Sequence, residues 1–160
     1  MKILIIGTGM YVSGRNTEGY GTIFPSIIEF QRISKIKNLE VILVGKSKHS
    51  AIASKTKIFK ALKISGVKFK VSIYPNNKSG KSVNYKDILK KEKNLTCAIV
   101  AVPDHLHYEV LNECLNYNLH TFVVKPFTTK IKDAKKLIID AGVSITGLKL
   151  EKKISLKDLH

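Results

Sequence analysis

Two glycines spaced one apart, Gly7 and Gly9, close the apolar run from Ile3 to Ile6, and no other stretch has clearer chemistry. Gly7 permits a tight turn, and Gly9 lets backbone N–H groups approach a phosphate at the N-terminus of a following helix. The other chemical candidates read more plainly. Gly80-Lys81-Ser82 shares its last three residues with triphosphate-binding loops, but the earlier glycine of that motif falls at Pro75 and no apolar helix follows at once. It reads as a surface turn. His105 and His107 lie two apart with no supporting carboxylate or cysteine cluster, which points to a histidine packed or hydrogen-bonded at a helix start rather than to a metal pair. Cys97 and Cys114 sit in apolar contexts without CxxC spacing and read as buried free thiols. No metal site is expected.

A phosphate site at Gly9 needs a sheet behind it. The run Ile3 to Ile6 is short and bounded by glycine, as in a strand buried on both faces of a parallel sheet. Residues 10–22 are glycine-rich without helical periodicity and read as a long loop, with a first helix at about 22–37. A second buried strand spans 39–45, and Ser47 or Ser50 caps a helix that runs to about Leu62, with Gly66 just past its end. Residues 67–73 alternate like a half-exposed edge strand, and 84–93 form a short solvated helix. Residues 96–102 and 120–124 are further strands, each followed by a helix. Asp104 is the expected cap of the first of these helices, and Gly142 ends the last, before a short strand near 143–145. The alternation implies an α/β fold, a doubly wound parallel sheet in one domain. Ligands of such sheets bind beyond the carboxyl ends of the strands. That edge gathers Gly7 to Arg15, Lys46 to Lys48, Pro103 to His107, and Lys125-Pro126.

Length and composition agree with this. The 160 residues, 44% hydrophobic, suffice for one domain, taken as residues 1–148 with 149–160 as a tail. No apolar stretch is long enough to span a membrane, and a soluble, cytoplasmic protein is expected. The net charge of +16 attracts anions. Its lysines are spread along the chain without an arginine-rich block or an aromatic platform, which argues against nucleic acid as the partner.

The stretch AIVAVPDHLHYEVLNECLNYNLHTFVVKPF, residues 98–127, resembles the signature of the glucose-fructose oxidoreductase and inositol dehydrogenase family, Gfo/Idh/MocA. There a strand ends in a threonine-proline-asparagine turn, a histidine follows four after the proline, and the next strand ends in glutamate-lysine-proline. Pro103, His107, Lys125 and Pro126 match, while Val102, Asp104 and Val124 depart. The resemblance also takes in residues 1–9 and the last helix, nearly the whole chain.

The resemblance implies a Rossmann domain that binds NAD or NADP and normally precedes a larger substrate domain. Its enzymes move a hydride to or from a sugar, inositol or similar polyol. By position, Lys125 is the lysine near nicotinamide and substrate, Pro103 and Asp104 lie against the nicotinamide ribose, Val102, His107 and Pro126 are further cofactor contacts, and Lys125-Pro126 is a plausible cis peptide. The third glycine of the GxGxxG fingerprint falls at Val12, so the expected phosphate contacts are Gly7, Thr8, Gly9, Met10, Ser13, Gly14 and Arg15. Where an acidic residue would bind a ribose 2'-hydroxyl stand Lys46, Ser47 and Lys48, which favours NADP over NAD. The family's remaining catalytic groups belong to the substrate domain, so a sugar-like substrate is expected only if such a domain is supplied. The alternative is a non-catalytic nucleotide-sensing or interaction module. Self-association through the surface that a substrate domain would cover is also expected.

Overall fold

Within the computed structural model, which describes residues 1–76 and 83–142, the run KILII forms β1 (Lys2–Ile6), the middle strand of a five-stranded sheet. The other strands are β2 (Glu40–Val44), β3 (Lys70–Tyr74), β4 (Cys97–Val100) and β5 (His120–Val123). All pairs are parallel, in the order β3-β2-β1-β4-β5, with Ile3 opposite Val41 on one side and Cys97 on the other. The helices are α1 (Met10–Ser13), α2 (Ile23–Ser34), α3 (Lys48–Ser65), α4 (Tyr85–Lys91), α5 (His107–Asn116) and α6 (Ile131–Ala141).

Each strand of the sheet centre is apolar on both faces because both faces are covered. Ile3, Ile5, Val41 and Leu43 pack against Phe24, Ile27 and Ile28 of α2 and Ile58 and Ala61 of α3. Leu4, Ile6, Ile42, Val44, Ala98 and Val100 pack on the other side against Ile88 and Leu89 of α4, Val110, Leu111 and Cys114 of α5, and Leu137 of α6. This is the doubly wound arrangement that strand–helix alternation implies. β3 is an edge strand and only partly buried, as its alternation predicts.

Local signals set the helix ends. Ser47 caps α3: its hydroxyl accepts from the Ser50 N–H at 3.2 Å, and Ser50 Oγ accepts from the Ser47 N–H at 3.1 Å. Gly66 ends α3 in the left-handed region at φ +69°. Asn84 caps α4 by the same reciprocal pattern with Asp87.

Three expectations need correction. Residues 10–22 are not all loop: Met10–Ser13 make one helical turn, stopped by Gly14 at φ +70°, before the chain leaves and returns to start α2 at Ile23. The turn forms because Val12, at the third glycine's place, sinks fully into the core cluster with Phe24. Asp104 makes no side-chain cap; it opens a single 3-10 turn, Asp104–Leu106, that leads into α5. Gly142 ends α6 with right-handed φ −60°, not with the left-handed cap that glycine allows. The Gly80-Lys81-Ser82 turn and the strand near 143–145 lie outside the described residues.

Candidate functional site

Parallel strands place all their carboxyl ends on one edge, and the sheet's winding reverses between β1 and β4. A crevice beyond that edge at the reversal is where such folds take ligands. Gly7 sits at the junction. Its N–H donates to the Val44 carbonyl at 2.9 Å, its φ is +112°, and a Cβ there would fall 2.1 Å from the Ala101 carbonyl oxygen. Only glycine lets β1 turn this close to the end of β4.

Gly9, one residue on, serves differently. It caps α1 in an extended conformation, and a Cβ built on it would meet nothing within 4 Å. The space over the turn is open, and the N–H groups of Met10 and Tyr11 have no intrahelical partner, while those of Val12 and Ser13 donate to the Gly9 carbonyl. This is what a phosphate oxygen requires, though α1 spans four residues, so backbone N–H groups rather than a summed helix dipole must supply the attraction.

The other predicted phosphate contacts divide. Thr8 is buried, with its side chain against Gly45, where a Cβ would lie 2.7 Å from Thr8 Oγ1. Ser13 is buried too, and its hydroxyl donates back to the carbonyls of Thr8 at 3.1 Å and Gly9 at 3.2 Å. Gly14 packs on Gly19 and Gly21. These three build the turn from inside: Thr8 and Ser13 are buried, the Ser13 hydroxyl donates to the Thr8 carbonyl, and Gly14 has no room for a side chain. Met10 is exposed on the turn, and Arg15 carries a buried Nε with no partner among the described residues. A buried guanidinium N–H without an acceptor fits an anion placed beside it.

On the β2 side, Lys46 and Lys48 are exposed at the start of α3, an 18-residue helix with no acidic residue in its first turn. Two cations and a helix N-terminus together suit a phosphate monoester. The Ser47 hydroxyl is taken by the cap, so its contribution is to shape the turn.

Across the crevice, His107 is fully buried. Its Nε2 lies 2.9 Å from the Val102 carbonyl oxygen and its Nδ1 2.6 Å from that of Pro126. Expected among the cofactor contacts, it is instead a strut between the loop after β4 and the loop after β5, with both nitrogens spent on backbone. It ties together the two sequence motifs that lie about twenty residues apart. Pro103 and Asp104 stay exposed, and so does Lys125, whose bond to Pro126 is cis. Cys97 and Cys114 are free thiols, and burial pushes Cys114 up to about 12, which leaves it inert as a nucleophile.

Sequence reasoning passed over Gly45, Ala101, Ser54 and Lys57. Ser54 Oγ donates to the Thr8 carbonyl at 2.6 Å, and Lys57 binds the loop after α1. The serine spacing at 47, 50 and 54 was the available signal, a small polar face on α3.

A parallel doubly wound sheet with an open glycine turn after its first strand defines a dinucleotide-binding fold. The family model described as the oxidoreductase family, NAD-binding Rossmann fold, matches residues 1–141. The chain belongs to that family, Gfo/Idh/MocA. An uncharacterized oxidoreductase of Schizosaccharomyces pombe is 35% identical over 51 residues, 32% of this chain and 14% of that protein. Among solved structures, the fold is similar to KijD10, a 3-ketoreductase from Actinomadura kijaniata in complex with NADP and TDP-benzene, at TM-score 0.55 and 17% identity. That match covers 90% of this chain and 34% of the other. It is similar as well to the WlbA dehydrogenase from Chromobacterium violaceum in complex with NADH and UDP-GlcNAcA, at TM-score 0.57 and 14% identity, covering 90% and 32%. The chain thus spans about a third of the length of these solved relatives.

Proposed function

We propose that this chain binds NADP(H) in preference to NAD(H) and forms the cofactor-binding part of an oxidoreductase acting on a sugar, inositol or similar polyol. The observation that carries the reading is the open turn at Gly9 with Lys46 and Lys48 exposed at the next strand end, on the same edge of the sheet. Lys46 and Lys48 bind the 2'-phosphate, and Gly9, Met10 and Arg15 meet the pyrophosphate. Pro103 and Asp104 line the nicotinamide ribose. The nicotinamide, when bound, supplies or accepts the hydride. The Lys125 ammonium binds the reacting substrate oxygen and stabilises the negative charge that grows there. His107 keeps the loop that carries Lys125 at a fixed distance from the Val102 loop. Substrate recognition and the remaining proton transfers fall to a substrate domain. KijD10 is in complex with NADP and TDP-benzene and WlbA with NADH and UDP-GlcNAcA, which supports the cofactor class and, through the second, a sugar-like substrate.

The reading includes a reducing, cytoplasmic compartment, in keeping with two free thiols. It also includes self-association of the isolated chain. Among the described residues, no helix is long and apolar enough to cross a membrane.

Calorimetric titration with NADPH, NADH and ATP tests the cofactor reading. NADPH should bind at least about tenfold tighter than NADH, the value of one charge-assisted contact, and Lys46→Ala should remove most of that difference. Equal or tighter binding of NADH refutes the preference. Binding of no nucleotide refutes the whole reading and leaves an interaction module.

A further inference from the structure

The glycine turn is not held by the sheet alone. Helix α3 grips it through two side chains three residues apart, which therefore lie on one face of the helix. Ser54 is fully buried, and its hydroxyl reaches the Thr8 carbonyl at 2.6 Å. Lys57, one turn further, places its ammonium 2.7 Å from the Thr17 carbonyl oxygen, 3.1 Å from that of Glu18 and 3.0 Å from that of Gly19. An ammonium has three hydrogens and no acceptor, so three carbonyls use it fully. Three consecutive carbonyls turned to one point repel each other unless a cation sits there.

Burial does not hold this loop. Residues 16–19 are all exposed, and the first apolar anchor after them is the half-buried Tyr20, whose ring lies 5.5 Å from the same Lys57 nitrogen. The loop leads straight back to the turn. A Cβ on Gly14 would lie 2.1 Å from the Gly19 carbonyl oxygen, and one on Gly21 would lie 2.7 Å from the carbonyls of both Met10 and Tyr11. The Thr22 N–H donates to the Tyr11 carbonyl at 2.8 Å. Moving residues 17–19 therefore moves α1, and α1 carries the N–H groups beside Gly9.

We infer that Lys57 is the resident cation of the loop at residues 15–21 and, with Ser54, a positioning residue for the phosphate-binding turn. The role rests on the dinucleotide reading above. Lys57 touches no ligand itself. It fixes the geometry in which the turn's N–H groups point outward, and so it acts on affinity through the loop.

The test uses the full chain with Lys57→Met, which keeps the stem and removes the charge, Lys57→Ala, and Ser54→Ala as a second route to the same turn. NADPH affinity is read by calorimetry, and loop order by the rate of Glu-C cleavage after Glu18. Lys57→Met should weaken NADPH binding about tenfold and speed cleavage at Glu18 at least about tenfold, by freeing the carbonyl triad. Propylammonium added to Lys57→Ala should restore both, whereas the same concentration of sodium should not. Ser54→Ala should weaken NADPH binding while leaving the cleavage rate unchanged. Faster cleavage with unchanged NADPH affinity overturns the positioning role, and so does unchanged cleavage in Lys57→Met. Should Lys57→Met fail to fold, Lys57→Ala carries the same two readouts, and unchanged affinity or unchanged cleavage in it overturns the role of Lys57, as unaltered affinity in Ser54→Ala overturns that of Ser54. If the unaltered chain binds no dinucleotide, the dinucleotide reading falls and takes this role with it, which the other outcomes do not.

Discussion

Both ring nitrogens of His107 face backbone carbonyl oxygens, of Val102 and of Pro126, in a site without exposure to water. Replacing the ring by an alkyl group removes the donor between these two partly buried carbonyls. His107→Leu should therefore destabilise the fold by about 1–3 kcal/mol, as one lost donor implies, and a urea titration measures it. His107→Gln, which can still donate to one of the two, should recover part of the loss. Equal stability of both variants and the parent would show that the ring holds nothing. Lys125 gives the opposite case. It is exposed, and among the described residues it makes no ion pair, so a change there leaves the fold alone and speaks only to the chemistry.

The turn between β1 and α1 contains two glycines that the chain needs for separate reasons. Gly7 combines φ +112° with a carbonyl oxygen 2.1 Å from where its Cβ would go, while Gly9 has φ −76° and open space. Gly7→Ala should cost at least about 3 kcal/mol, because backbone and not a flexible side chain must move. Gly9→Ala should cost less than about 1 kcal/mol yet weaken NADPH binding, because its methyl occupies the space a phosphate needs. Thermal melts of both variants beside a titration of Gly9→Ala decide this, and equal destabilisation by the two would contradict it. The α3 element shows the same division between build and use: Lys48 in its first turn and Lys46 just before its cap are exposed, while Ser54 and Lys57 bind the turn and loop it supports.

At the opposite edge of the sheet, charges join the strand starts. Lys70 and Lys2 flank Glu40 at 2.8 Å and 3.6 Å, and Lys2 also reaches Glu92 at 2.5 Å, so one chain of ions runs across β3, β2 and β1 to the end of α4. The hydrogen bond from Lys70, with the charge of Lys2, holds the Glu40 carboxyl below its ordinary 4.5. A carboxyl lowered on folding stabilises the fold above its unfolded value and loses that contribution as the pH falls through the lower folded value. Glu40→Gln should therefore be less stable than the parent at pH 7, by less than about 1 kcal/mol for a partly exposed network, and equal to it near pH 2. Urea midpoints at the two pH values check this; a difference that persists in acid would refute it. On the flank, β5 is an edge strand with Phe122 exposed on it, and Ile131, Ile138 and Ile139 are exposed on α6, which packs against α5. Apolar side chains in that number favour association, and light scattering of the isolated chain should show more than one copy at high concentration. A monomer there would contradict it.

Runs such as Ile3–Ile6 and the serine at 47 were legible because their signals are local. An apolar stretch bounded by glycine needs cover on both faces wherever it lies, and a hydroxyl before a helix meets its own third N–H. These signals, with the two spaced motifs, are enough for a parallel sheet and for the four stretches at its carboxyl edge. The tertiary structure alone decided which side chains within those stretches remain free. Ser13 and His107 are spent on backbone carbonyls, and Lys57 meets a loop 38 to 40 residues away in sequence. A hydroxyl, an imidazole or an ammonium has the same composition whether it faces a ligand or a carbonyl. Which it faces is set by contacts between distant segments, and those exist only once the chain has packed.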